Sequence, residues 1–88
     1  MVNKVGKEKV GEVFKFFVQP SVAALEVHGD INVGDEVIFQ GATTDFKMKI
    51  SSMQIEGIDV ESVKKGQQVG IKVPERVRPN DEVFKIVD

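Results

Sequence analysis

Apolar and polar residues alternate along this chain in short runs. Ala23, Leu25 and Val27 share one parity, with Glu26 and His28 on the other. Val69, Ile71 and Val73 do the same around Lys72, and Phe84 and Ile86 flank Lys85. A period of two marks a strand with one buried face. Gly, Asn, Asp and Pro break the runs, and no helical period extends beyond a turn or two. The pattern predicts six strands, at 9–18, 21–28, 36–41, 45–56, 67–73 and 82–87. One helical turn is expected within 58–65, with Asp59 as its N-cap. Pro20 has no N–H for a ladder and belongs in the turn between the first two strands.

Three irregularities refine this picture. In 45–56, Phe46, Met48 and Ile50 alternate with Lys47 and Lys49, then Met53 and Ile55 resume on the opposite parity after Ser51 and Ser52. One extra residue in a strand is a β-bulge, so a bulge is expected at Ser51-Ser52, with both apolar sets facing inward. The first strand carries Val13, Phe14, Phe16, Phe17 and Val18 on both faces, which predicts a central strand covered on both sides or one crossing a corner. Finally, Ile31-x-x-Gly34-x-x-Val37, Val63-x-x-Gly66-x-x-Val69 and Val77-x-x-Asn80-x-x-Val83 share one template. Gly and Asn accept positive φ at low cost, so a tight turn is expected at each, with the leading aliphatic tucked inward. Asp35 and Asp81 follow the turn residue and are placed to accept backbone hydrogen bonds.

Six strands with one inner face in 88 residues predict an all-β fold, a small six-stranded, mainly antiparallel closed β-barrel spanning 1–88 as one domain. There is no cysteine, which excludes a disulfide framework and a thiolate zinc site and fits a cytoplasmic protein. No apolar run approaches the roughly 20 residues of a membrane span, and the N-terminus has no apolar core of a secretory signal. The formal net charge is −2, against binding nucleic acid mainly by phosphate neutralisation. It leaves room for a local basic patch. Lys47 and Lys49 share one strand face, and Arg76 and Arg78 share one face of a segment stiffened by Pro74 and Pro79, with Lys72 just before it. Arginine forks suit phosphate; the competing reading is a solvated face neutralised by Glu75 and its neighbours. With no Tyr or Trp, and six Phe needed mostly for the core, a base-stacking platform is poorly supplied.

No catalytic constellation emerges. His28 is the lone histidine and lacks an orienting partner, so it reads as an exposed strand-end residue. Thr43, Thr44 and Asp45 lack a base and read as turn chemistry. Asp59 and Glu61 read as solvated carboxylates. Catalytic residues, metal and cofactor are therefore expected to be none. No GxxxxGK[ST] loop is present, so GTP binding by this chain is not expected.

The stretches "INVGDEV", "ISSMQIEG", "VESVKKGQQVGIKV" and "NDEVFKI" together resemble the second-domain β-barrel of translational GTPases, of the elongation factor Tu and initiation factor type, over roughly residues 8 to 87. The same barrel looks like the small C-terminal domain attached to some collagenase-like peptidases. The first resemblance implies a non-enzymatic module of protein biosynthesis that docks on tRNA or the ribosome, with Lys47, Lys49, Lys72, Arg76 and Arg78 meeting RNA phosphate. The second implies an accessory module with an exposed apolar patch and a protein partner.

Overall fold

The computed structural model describes residues 6–87. They form β1 (Gly6–Phe17), β2 (Val22–Val27), β3 (Ile31–Asn32), β4 (Glu36–Gln40), β5 (Asp45–Lys49), β6 (Met53–Ile55), β7 (Ile58–Val60), β8 (Ser62–Val63), β9 (Gln68–Lys72) and β10 (Glu82–Val87). The fold is all-β, and every strand pairing is antiparallel. Eight strands make one sheet in the order β5-β4-β10-β1-β2-β9-β6-β7, and β3 pairs with β8 apart from it. The alternation seen in the sequence is the alternation of burial: Ala23, Leu25, Val27, Val69 and Ile71 are buried, and Lys72 is exposed.

The stretch 58–65 is not helical. It holds β7 and β8, and Asp59 Oδ1 accepts a 2.9 Å hydrogen bond from Gln54 Nε2 instead of capping a turn. The apolar Ile58 and Val60 lie opposite Ile55 and Met53, so cross-strand pairing outweighs a short polar helical turn.

The slip at Ser51-Ser52 has a different cause from a bulge. Phe46, Met48, Ile50, Met53 and Ile55 do all belong to or pack on the core, and both serines are exposed. Yet the strand stops at Lys49 and restarts at Met53 with new partners: β5 pairs with β4, β6 with β7 and β9. These strands stand first and seventh in the sheet. In a flat sheet they would lie about 29 Å apart, whereas the link through 50–52 spans at most about 14 Å. The sheet must therefore curl until its two ends approach. Its bulges lie elsewhere, in β1, where the register shifts between Lys9 and Gly11 and again between Val13 and Lys15.

The three template turns share one hydrogen-bonding scheme. In 32–35, 64–67 and 78–81 the fourth N–H donates to the first carbonyl, at 3.0, 3.1 and 3.1 Å. The third residue has positive φ: 98° at Gly34, 96° at Gly66 and 78° at Asn80. That is the backbone signature of a type II turn. The fourth side chain closes each ring, accepting from the first N–H: Asp35 from Asn32, Gln67 from Lys64 and Asp81 from Arg78, at 2.8, 2.7 and 2.8 Å. The third and fourth residues then grip one residue of a distant strand by two backbone bonds. The N–H groups of Gly34, Gly66 and Asn80 donate to the carbonyls of Ile50, Val27 and Val13, whose own N–H groups return to the carbonyls of Asp35, Gln67 and Asp81, all within 2.8–2.9 Å. Every gripped residue is buried, as are the leading Ile31, Val63 and Val77. These three clamps pin the sheet's curl at backbone level.

Asn80 is the one clamp turn residue carrying a Cβ at positive φ. Asn80→Gly is expected to leave stability equal or slightly raised. Asn80→Val is expected to cost about 1–2 kcal/mol, the penalty of a β-branched residue in the left-handed region. Urea melts of the two variants check this; equal midpoints would contradict it.

Candidate docking groove

Two clamps set up an open apolar surface. The third holds Val13 inward, and the bulge just after it turns Phe14 outward. Phe14 and Phe17 are 45% and 43% exposed. β1 is central, as its sequence suggested, but its outer face at Phe14 and Phe17 stays partly open, with Lys15 Nζ 4.9 Å from the centroid of the Phe17 ring. Beside it lies the outer face of β2 and β9, where Val22 and Ala24 are half-buried and Ala24 stands directly opposite Gly70. Gly70 carries no side chain, and Val22 packs against it, its Cγ1 3.1 Å from where a Cβ would sit.

The far wall is the β6–β7 hairpin. Its two central residues, Glu56 and Gly57, have φ of 51° and 79°, the pattern of a two-residue type I′ turn. The second clamp supplies the remaining wall through Gly66 and Gln67. Together these elements bound a groove of about 610 Å³. Of the residues lining it, Glu56 alone is charged. Its mouth carries three glutamines, each with one end of its amide already bound: Gln54 Nε2 to Asp59, Gln68 Nε2 to Glu26, and Gln67 Oε1 to the N–H of Lys64.

Along the ladder from the groove runs an acidic row. Glu82, Glu12 and Glu26 lie directly opposite one another on β10, β1 and β2. Like charges so placed repel. Lys9 offsets part of this, with Nζ 3.2 Å from Glu82 and 3.5 Å from Glu12. Its pKa is raised chiefly by the hydrogen bond to Glu82.

The sequence-predicted basic residues lie on β5, on β9 and in the segment after β9. Lys47 and Lys49 are exposed on β5, with Glu36 directly opposite Lys49. Lys72 is exposed on β9, which pairs with β2 on one side and with β6 on the other. Arg76 is exposed in the segment after β9. Arg78 is engaged within the chain, where its Nε donates to Thr43 Oγ1 at 2.9 Å and ties the third clamp to the β4–β5 turn. His28 is exposed beside Glu12 and Glu26 in a shallow depression with Pro79 and Asn80. Thr44 is buried and its carbonyl accepts the N–H of Gly41, while Asp45 opens β5. Among the described residues no cluster of His, Cys, Asp or Glu is placed to hold a metal ion, and no helix is long and apolar enough to cross a membrane.

This is a small, curled, antiparallel β structure with an apolar groove on its outer face. No family model matches the chain. In sequence it is 39% identical over 83 residues to an uncharacterized protease of Methanocaldococcus jannaschii, and 36% identical over 81 residues to a collagenase of Porphyromonas gingivalis. These alignments cover 93% and 90% of the chain but only 20% and 22% of the relatives, so the chain spans about a fifth of their length. In structure it matches the C-terminal domain of a U32 peptidase from Geobacillus thermoleovorans. The TM-score is 0.84 at 25% identity, over 89% of this chain and 91% of that one. The selenomethionine form of that domain gives 0.83 at 24% identity, over 86% and 96%.

These findings correct the expected kinship with translational GTPases: the relatives and structural neighbours are peptidase-family proteins, not elongation or initiation factors. A place in protein biosynthesis falls with it. The physical reason lies in the clamps. "INVGDEV", "KKGQQVGIKV" and "NDEVFKI" supply turn residues, ring-closing side chains and buried valines. Such motifs specify how a β chain turns, and different functions can share them.

Proposed function

We propose that this chain is a non-catalytic protein-interaction module of a peptidase-family protein, docking through the groove between β1 and the β6–β7 hairpin. The observation that carries this reading is the half-exposed pair Phe14 and Phe17 on a central strand beside the groove. Residues 1–88 act as one β domain. The same proposal takes the curl to completion as a closed barrel, with β5 and β7 side by side; amides on the outer edges of β5 and β7 are then expected to exchange slowly with solvent. The peptidase names of the relatives support the accessory role, since the neighbour in structure is itself a C-terminal domain.

Affinity co-purification from cell extract, with and without nuclease, tests the module. The expected result is a protein partner that survives nuclease and is lost with the Phe14→Ser, Phe17→Ser double variant. Recovery of RNA alone, a partner that the variant keeps, or peptide hydrolysis by the purified chain would each contradict it.

A further inference from the structure

Resting on that docking role, we infer that the groove face binds a second copy of the same domain, turned end for end about a two-fold axis. The outer face of β10, β1, β2 and β9 carries opposite charge at its two ends, and the strand registers place the groups. Glu82, Glu12 and Glu26 lie in one cross-strand row, continued on β9 by the neutral Gln68. β6 runs from the level of Gly70 towards that row, so Glu56 in the hairpin turn joins the acidic end. The next outward row is Lys15, Ala24 and Gly70, and the one after it is Phe17, Val22 and Lys72. Lys15 and Lys72 are exposed. The first and last rows stand about 13 Å apart along β2. Phe14, at the β1 bulge, is exposed between the acidic row and Lys15.

The charges of this face are incompletely matched within the chain. Lys9 reaches Glu82 and Glu12. Glu26 accepts a hydrogen bond from the neutral amide of Gln68. Among the described residues neither Lys15 nor Lys72 forms an ion pair, and Lys15 rests over the Phe17 ring. A face of one sign calls for a partner of the other sign. A face with both signs, at opposite ends of an apolar middle, is complementary to itself. A half-turn about an axis in the contact plane lays each acidic end towards the other copy's basic end. The same half-turn brings the two Phe14 rings together near the axis, with Ala24 and Val22 beside them. This is the isologous geometry of the commonest dimers. Complementary charge fixes the register of such a contact more than it adds strength. The face is smaller than the roughly 20–30 residues a side of a standard interface, so the pair is weak and comes apart on dilution.

Sedimentation equilibrium of the purified chain, from about 5 µM to 1 mM, tests the inference, with a dissociation constant of about 100 µM expected. Raising sodium chloride from about 50 to 500 mM should weaken the pair at least about threefold, since exposed charges are screened and purely apolar contacts are not. Glu12→Lys with Glu26→Lys, and separately Lys15→Glu with Lys72→Glu, should each weaken self-association at least about tenfold. Mixed one to one, the two variants should pair with each other about as tightly as the parent. One set of contacts is then reversed in both partners and the other is the parent's own. A monomer up to the highest concentration, reversal variants that pair as well as the parent, or a mixture that stays monomeric would overturn the inference. If the chain is monomeric throughout yet captures a different protein through Phe14 and Phe17, the second copy falls and the docking role stands. If it captures nothing either, both fall.

Discussion

The Gly41→Ala variant is expected to lose roughly 3–5 kcal/mol of stability from the addition of one methyl group. An alanine Cβ would sit 1.8 Å from Asp81 Oδ1 and 2.6 Å from its Cγ. Asp81 is a short, buried side chain that closes the third clamp by accepting the N–H of Arg78. It cannot swing clear without breaking that ring. Overpacking costs about 1–3 kcal/mol, and losing a hydrogen bond to a charged acceptor costs about 1.5–3. Together, roughly 3–5 kcal/mol is a large share of the stability of about 5–13 kcal/mol typical for a chain of this size. A double-mutant cycle isolates the cause. With Asp81→Ala already present, the clashing oxygens are gone, and the new methyl meets the residue-81 Cβ at an ordinary 3.4 Å. Gly41→Ala should then cost less than about 1 kcal/mol, giving a coupling of at least about 2 kcal/mol. Additive costs in denaturant melts would show that the two positions do not oppose each other as described.

Ala24→Glu is expected to do the reverse: fold normally and fail to dock. Ala24 faces outward on β2 directly across from Gly70, so a longer side chain rises into the groove and leaves the core alone. The melt should stay within about 0.5 kcal/mol of the parent, the usual range for a surface change. Docking would have to push this longer side chain aside and desolvate its carboxylate together with Lys15, which stands directly opposite on β1 and is placed to pair with it. A loss of at least about a hundredfold in affinity for the captured partner is therefore expected, roughly 2.7 kcal/mol. Calorimetry or anisotropy with the co-purified partner measures it. Undiminished affinity would remove the groove from the interface.

Much of this structure was legible in the sequence where local chemistry decides the outcome. The period of two along Ala23, Leu25 and Val27 gave their burial, and the Gly34, Gly66 and Asn80 template located three turns, each with its leading aliphatic buried. What those turns grip was not legible, because Ile50, Val27 and Val13 are brought to them by the long-range curl of the sheet. The parity slip at Ser51-Ser52 was real but ambiguous: a bulge and a passage between the two ends of a sheet leave the same mark on a sequence. The Ile55–Ile58 hairpin escaped notice because glutamate is an unusual residue at positive φ, where Asn or Asp is the common signal.

The groove was half legible. Apolar residues on both faces of β1 announced something unusual, a central strand covered on both sides or one crossing a corner. Instead Phe14 and Phe17 stay open. A strand apolar on both sides reads the same whether its second cover comes from its own chain or from a partner. The basic residues show the same limit of sequence spacing. Spacing places Lys47 with Lys49 and Arg76 with Arg78, but only the structure shows Arg78 bonded to Thr43.

Hydroxyl-radical footprinting of the nuclease-treated complex from cell extract tests the docking surface most directly. In the free protein Phe14 and Phe17 should be oxidised readily, in line with their exposure. In the complex both should be protected, with Ile55 protected alongside them and Val87, on β10, unchanged. Unaltered labelling of Phe14 and Phe17, with protection moving instead to the β5 face around Lys47 and Lys49, would contradict a docking role for the groove.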